Sequence, residues 1–132
     1  MKRVILALLL LTGACAQHVA TGSQEPDANV GEGVTAQQIQ QLESEARAIA
    51  RTEGCSQPGQ CRTAPVGDRP CGGPRDFVVY CATTTDTVAL FNKLEELRRA
   101  EQQYNRAHDL VSTCELRLPP ETQLVGTTCR AR

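Results

Sequence analysis

The sequence predicts a small α+β domain, held by disulfides, with two helices and a short antiparallel sheet. Three observations predict it. Six of the seven cysteines, Cys55, Cys61, Cys71, Cys81, Cys114 and Cys129, fall in the last 80 or so residues. Two segments repeat apolar residues at helical spacing. Between them, Phe77-Val78-Val79-Tyr80-Cys81 is β-branched and aromatic, the composition of a strand buried on both faces.

The first helix is expected over 35–53. Thr35 is its N-cap, with Gln38 at the capping-box position, and Gly54 is its stop. Ile39, Leu42, Ala46, Ile49 and Ala50 share one face, with Glu43, Glu45 and Arg47 elsewhere. The second helix runs from about Thr87 to His108, after caps offered by Thr83-Thr84-Thr85-Asp86. Leu90, Leu94, Leu97, Glu101, Tyr104 and Leu110 lie near its apolar stripe. Its wet side carries Glu95, Glu96, Arg98, Arg99, Gln102, Gln103 and Arg106, where Glu95 can pair with Arg98 and Arg99. Segments 114–118 and 123–125 flank Pro119-Pro120, which predicts a loose C-terminal hairpin.

The segment 1–14 has the form of a secretory signal: Lys2-Arg3, then an apolar run from Val4 to Leu11 too short to span a bilayer. Thr12-Gly13-Ala14-Cys15 resembles the lipobox of bacterial lipoproteins, although Thr12 stands where that family usually carries leucine. The resemblance implies diacylation of Cys15 and a membrane anchor there, and Ala16 after the cysteine implies an outer-membrane lipoprotein facing the periplasm. Ala14-Cys15-Ala16 also fits an ordinary signal-peptidase site, which would leave a soluble periplasmic or secreted chain starting at Gln17. Both processing routes leave six cysteines in an oxidising compartment, where an even count reads as three disulfides. Residues 15–34 read as a flexible tether, with a reach of about 25 Å by random-coil scaling. Residues 35–132 form the stapled domain.

Loss of Lys2 and Arg3 with the signal leaves 12 basic against 15 acidic side chains, so no clustered basic face marks a nucleic-acid partner. The chain has no Trp, and only Phe77, Tyr80, Phe91 and Tyr104 are aromatic. Such a core is one that disulfides normally supplement. One pairing follows from the turns. If residues 62–66 and 77–80 run antiparallel about Gly72-Gly73-Pro74, Cys61 comes opposite Cys81. Cys114 and Cys129 would close the C-terminal hairpin, and Cys55 would take Cys71.

Gly54-Cys55, Cys61, Pro65-Val66-Gly67, Cys71-Gly72-Gly73-Pro74, Phe77-x-x-Tyr80, Ser112-Thr113-Cys114 and Pro119-Pro120 together resemble small uncharacterised exported Cys-rich bacterial proteins with a Cys-Gly-Gly-Pro turn. The resemblance covers about residues 45–129. It implies a shared stapled fold and an envelope location. It implies no activity, so no catalytic residue carries over.

Candidate chemistry is sparse, and no cofactor is indicated. The cysteine spacings, C-x5-C, C-x9-C twice, C-x32-C and C-x14-C, contain no zinc knuckle. A cysteine nucleophile would need a free thiol beside His18, in the tether, or His108, at a helix end. Cys71-Gly72-Gly73-Pro74 lacks the Lys-Ser/Thr of a phosphate loop and reads as a turn. Ser23, Ser44, Ser56 and Ser112 lie in no nucleophile motif. Asp76, Asp86, Glu95 and Glu96 read as solvated carboxylates. The segment Ser56–Arg75, with Arg62, Asp68, Arg69 and Arg75 on a backbone stiffened by prolines and cysteines, is the candidate partner loop. The expected role is a non-enzymatic binding or structural module of the envelope. The alternatives are an inhibitor or immunity-type protein acting through the 56–75 loop and, less favoured, a small periplasmic enzyme.

Overall fold

A computed structural model describes residues 33–132. The signal segment, Cys15, His18 and all but the end of the tether lie outside the described residues. The described order is α1 (Ala36–Ile49), a single 3-10 turn (Pro58–Gln60), β1 (Cys61–Val66), β2 (Asp76–Cys81), α2 (Thr87–Ala107), β3 (Thr122–Val125) and β4 (Thr128–Ala131). The expected α+β class is therefore present, with two helices and two small antiparallel sheets, β1-β2 and β3-β4.

Helix α1 starts at Thr35, whose hydroxyl accepts the Gln38 N–H while the Gln38 side chain accepts the Thr35 N–H. It stops at Ile49, four residues before the expected end. The sheets recruit the backbone that would have continued it. Arg51 O accepts from Cys81 N–H, Thr52 O accepts from Cys129 N–H, and Glu53 bridges to Thr128. Buried Thr85 closes Arg51, accepting its N–H and donating to its carbonyl. Helix α2 starts at Asp86, which accepts from Ala89 N–H.

Strands β1 and β2 pair in register Cys61↔Cys81, Arg62↔Tyr80, Ala64↔Val78 and Val66↔Asp76. Side chains alternate across a strand. Ala64, Val66, Val78 and Tyr80 therefore pack with Leu90, Leu94, Leu97 and Ala46, with Ile39, Leu42 and Ile49 at the margin. The opposite face carries Cys61, Cys81 and half-buried Val79, which pack with Cys55, Cys129 and Leu124. The strand is thus covered on both sides, by helices on one and by sulfur and the β3-β4 hairpin on the other.

All six cysteines are paired, and the pairing corrects the one expected. The disulfides are Cys55–Cys81, Cys61–Cys129 and Cys71–Cys114, with Cα separations of 5.8, 5.4 and 5.3 Å. Cys61 does face Cys81, as the turn argument requires. Each bonds upward instead, to the layer that covers the face they share. Ties across layers close loops of 26 and 68 residues. In the chain-entropy picture loops of this size restrict the unfolded chain by about 3.5 to 4.5 kcal/mol each.

The C-terminal hairpin is also displaced. It turns at Gly126, which has φ +63°, and joins β3 to β4, leaving 114–118 outside both sheets. Pro119 and Pro120 supply no N–H to a ladder, and Cys114 is tied to Cys71 in the other direction. Peptide mapping of the oxidised protein should recover these three pairs and no alkylatable thiol among the six. A Cys61–Cys81 peptide, or two labelled thiols, would contradict the layered arrangement.

Candidate functional site

The turn between β1 and β2 is built on glycine. Gly67, Gly72 and Gly73 all take positive φ, at +71°, +94° and +80°. Arg69 N–H donates to Gly73 O, Gly72 N–H to Arg69 O, and Arg75 N–H to Val66 O. Beneath the turn lies Glu101, a carboxylate on the apolar stripe of α2 that is only 5% exposed. Its Oε2 accepts from Asp68 N–H at 2.6 Å, and its Oε1 accepts from Arg75 Nε at 3.2 Å and Nη2 at 2.8 Å. At Gly67 even a Cβ would overlap the Glu101 carboxyl group, so glycine is required there by space as well as by φ.

Arg75 extends the contact into a relay of charges. Its Nη2 also reaches Glu43 Oε2 at 2.6 Å; Glu43 holds Arg47, and Arg47 holds Asp76 Oδ2 at 2.7 Å. The relay joins α2, the turn, α1 and the start of β2. Partial burial alone would raise the pKa of Glu43, but hydrogen bonds from Arg75 and Arg47 outweigh it and hold the carboxyl below its ordinary value. Asp76 is lowered likewise: burial opposes, and the Phe77 N–H and Arg47 prevail. Arg75 is raised, chiefly by Glu101. Asp76 was expected as a solvated carboxylate; it is an ion-pair partner instead. The two glutamates expected on the wet side of α2 also pair: Glu95 with Arg98 and Arg99, which bring its pKa down to about 2, and Glu96 with Lys93.

The segment after α2 crosses over this turn as a strap. Asp109, at φ +48°, reverses the chain, and Leu110 N–H donates to Asn105 O while Asp109 N–H donates to Arg106 O. That is a Schellman cap with aspartate in the left-handed position. The strap is braced by the Cys71–Cys114 disulfide and by Cys71 N–H donating to Ser112 Oγ at 3.2 Å. Arg69 Nη2 donates to Glu115 O at 2.6 Å and Nη1 to Thr113 O at 3.5 Å. Between strap, turn and the two helices lies an open cleft of about 540 Å³. Ile39, Tyr104, Leu110 and Val111 line it, with Arg75 and Glu101 at its polar end. Beyond the cleft the strap exposes Leu116 and Leu118, which are 83% and 72% exposed, and Val111 at the cleft rim is 91% exposed.

Of the candidate loop arginines, Arg62 is exposed on β1, which takes residues 61–66 of the segment expected as a loop. Arg69 and Arg75 turn inward to the partners above. His108 stacks on Tyr104 with ring centroids 4.0 Å apart, away from any cysteine pair. The sulfurs of Cys55, Cys61 and Cys129 lie within 4.8 Å of one another, but each belongs to a disulfide and is no thiolate ligand. The cleft's acid-base groups bond one another, so what the site offers is shape and a braced apolar rim. Glu101 is the residue that the sequence places on the apolar stripe without assigning it a role. Its signal was a carboxylate in register with Leu90, Leu94 and Leu97.

Comparison with known protein families, with curated proteins and with solved structures returns no match.

The close approach at Gly67 can be separated from its backbone requirement. Gly72→Ala meets the positive-φ penalty in open space, about 1–2 kcal/mol, whereas Gly67→Ala also displaces Glu101. Chemical denaturation should therefore show Gly67→Ala as the more destabilised by at least about 1 kcal/mol. Equal losses would mean that the turn does not rest on Glu101.

Proposed function

We propose that this chain is an exported lipoprotein of the cell envelope, anchored through Cys15 and facing the periplasm, whose stapled domain is a non-enzymatic binding module. The observation that carries the reading is the strap. A segment held by a disulfide, by Arg69 donating to Glu115 O and by its own Arg117 donating to Arg75 O presents Val111, Leu116 and Leu118 to solvent. Aliphatic side chains on a loosely held tail cost little to expose. On a braced segment they form a standing apolar surface, the usual mark of a contact site. Bracing also lowers the ordering cost of binding.

Other observations support the location. Three disulfides suit an oxidising compartment, and among the described residues no helix is long and apolar enough to cross a membrane. Anchoring then falls to the lipobox-like Cys15. The internal commitments of Arg69 and Arg75 favour the strap over the 56–75 segment as the contact surface, which weakens the inhibitor alternative in its loop-borne form.

One experiment tests anchor and surface together. A photoreactive phenylalanine analogue replaces Leu116 or, as control, exposed Arg130, and the cells are irradiated and fractionated. The reading expects a membrane-borne adduct at 116 and none at 130, with Cys15→Ser releasing the chain from membranes. A soluble chain beginning at Gln17 would remove the anchor; absence of any adduct at 116 would remove the contact surface.

A further inference from the structure

We propose that the strap binds the strap of a second copy of this chain, as an antiparallel strand pair with its two-fold axis at Leu116; the proposal rests on reading the strap as a contact surface.

The backbone points the right way. The carbonyls of Thr113 and Glu115, two residues apart, both turn inward to Arg69. Such alternation belongs to an extended chain, where successive residues present their N–H and C=O groups to opposite sides. The groups of Cys114, Leu116 and Leu118 therefore face outward, and among the described residues they have no hydrogen-bond partner. This is an open strand edge, the form of surface that is completed by adding another strand.

The side chains then choose the occupant. With Leu116 opposite its own copy, Cys114 comes opposite Leu118, and Glu115 comes opposite Arg117. Leu116 and Cys114–Leu118 fall at hydrogen-bonded positions, which matches the outward groups. Glu115 and Arg117 fall at the closer, non-hydrogen-bonded positions, and the two-fold axis makes that ion pair twice. Within one chain the two lie on the same face, half-exposed and 3.5 Å apart, and Arg117 Nη1 also donates to Arg75 O at 3.4 Å; both contacts are at the surface, so the pair across the axis exchanges them for a closer partner. Leu116 and Leu118 from each copy meet on the opposite face and cover one another. A pairing centred one residue away, at Arg117, would set Arg117 against its own copy and lose both ion pairs.

The pairing also closes. Cys114 is fixed to Cys71 at one end, and Pro119-Pro120 contribute no N–H at the other, so only about five residues can pair. A two-fold contact of this kind uses the edge on both partners and leaves a dimer without an open fibre. Copies confined to one membrane surface would meet at raised effective concentration, so a short interface suffices there.

Charge exchange tests the register. The exported chain carrying Cys15→Ser is followed by sedimentation over a range of concentrations. Wild type should move from the mass of one chain toward two. Glu115→Lys and Arg117→Glu each replace two attractive pairs with two repulsive ones and should weaken association about tenfold. Mixed in equal amounts, the two variants form Lys–Glu and Arg–Glu pairs and should associate as wild type does. Unchanged melting of each variant shows that the fold is intact. A wild-type mass independent of concentration, insensitivity to either substitution, or a mixture no better than its components would overturn the proposal. In irradiated cells, an adduct at 116 of twice the chain's mass supports self-pairing. An adduct only with a different protein overturns self-pairing and leaves the strap as a contact surface; no adduct removes both.

Discussion

A carboxylate set among leucines loses its hydration, and it is tolerated only where donors replace the water. Glu101 meets that condition with one backbone N–H and two guanidinium hydrogen bonds. Each of these comes from the turn between β1 and β2, so α2 and the turn are fixed to one another by the need to satisfy a single side chain. Gly67 is the steric counterpart, since the backbone must come close enough for Asp68 N–H to reach the carboxylate. Arg75 passes the constraint to Glu43 on α1. From the same turn hang Arg69 and Cys71, which hold the strap. The exposed surface to which we assign binding is therefore positioned, through three steps, by a buried charge.

The disulfides divide this work in two. Cys55–Cys81 and Cys61–Cys129 lie side by side on the face of β1-β2 turned away from the helices, where they stand in for the large side chains this chain lacks. Four cysteines there make a compact second core that fixes the β3-β4 hairpin. Cys71–Cys114 belongs to no core. Both of its residues are exposed, and it joins a turn to a strap that has no secondary structure of its own. Two staples hold the domain together, and the third holds a surface in place.

How much of this could be read from the residues depended on the range of the interaction. The helices were legible because their determinants are local: the Thr35–Gln38 capping box and the Ile39, Leu42, Ala46, Ile49 stripe are all present. The β1-β2 pairing about Gly72-Gly73-Pro74 was legible for the same reason, down to Cys61 opposite Cys81. The disulfides were not, because opposition across a hairpin says nothing about the layer above it. Cys129 reaches Cys61 only through a hairpin turned at Gly126, whose signal was weaker than that of Pro119-Pro120. The early end of α1 likewise depended on distant strands claiming the carbonyls of Arg51 and Thr52. Glu101 was seen on the apolar stripe, but its meaning lay in Asp68 and Arg75, more than 25 residues away.

The dependence of the strap on Glu101 is measured most directly by amide hydrogen exchange in Glu101→Gln. The account predicts faster exchange at Asp68 and Gly72, spreading to Cys71 and the strap, while Ala64 and Val78 in the β1-β2 ladder keep their protection. Unchanged exchange in the turn, or a uniform loss across turn and ladder alike, would contradict it.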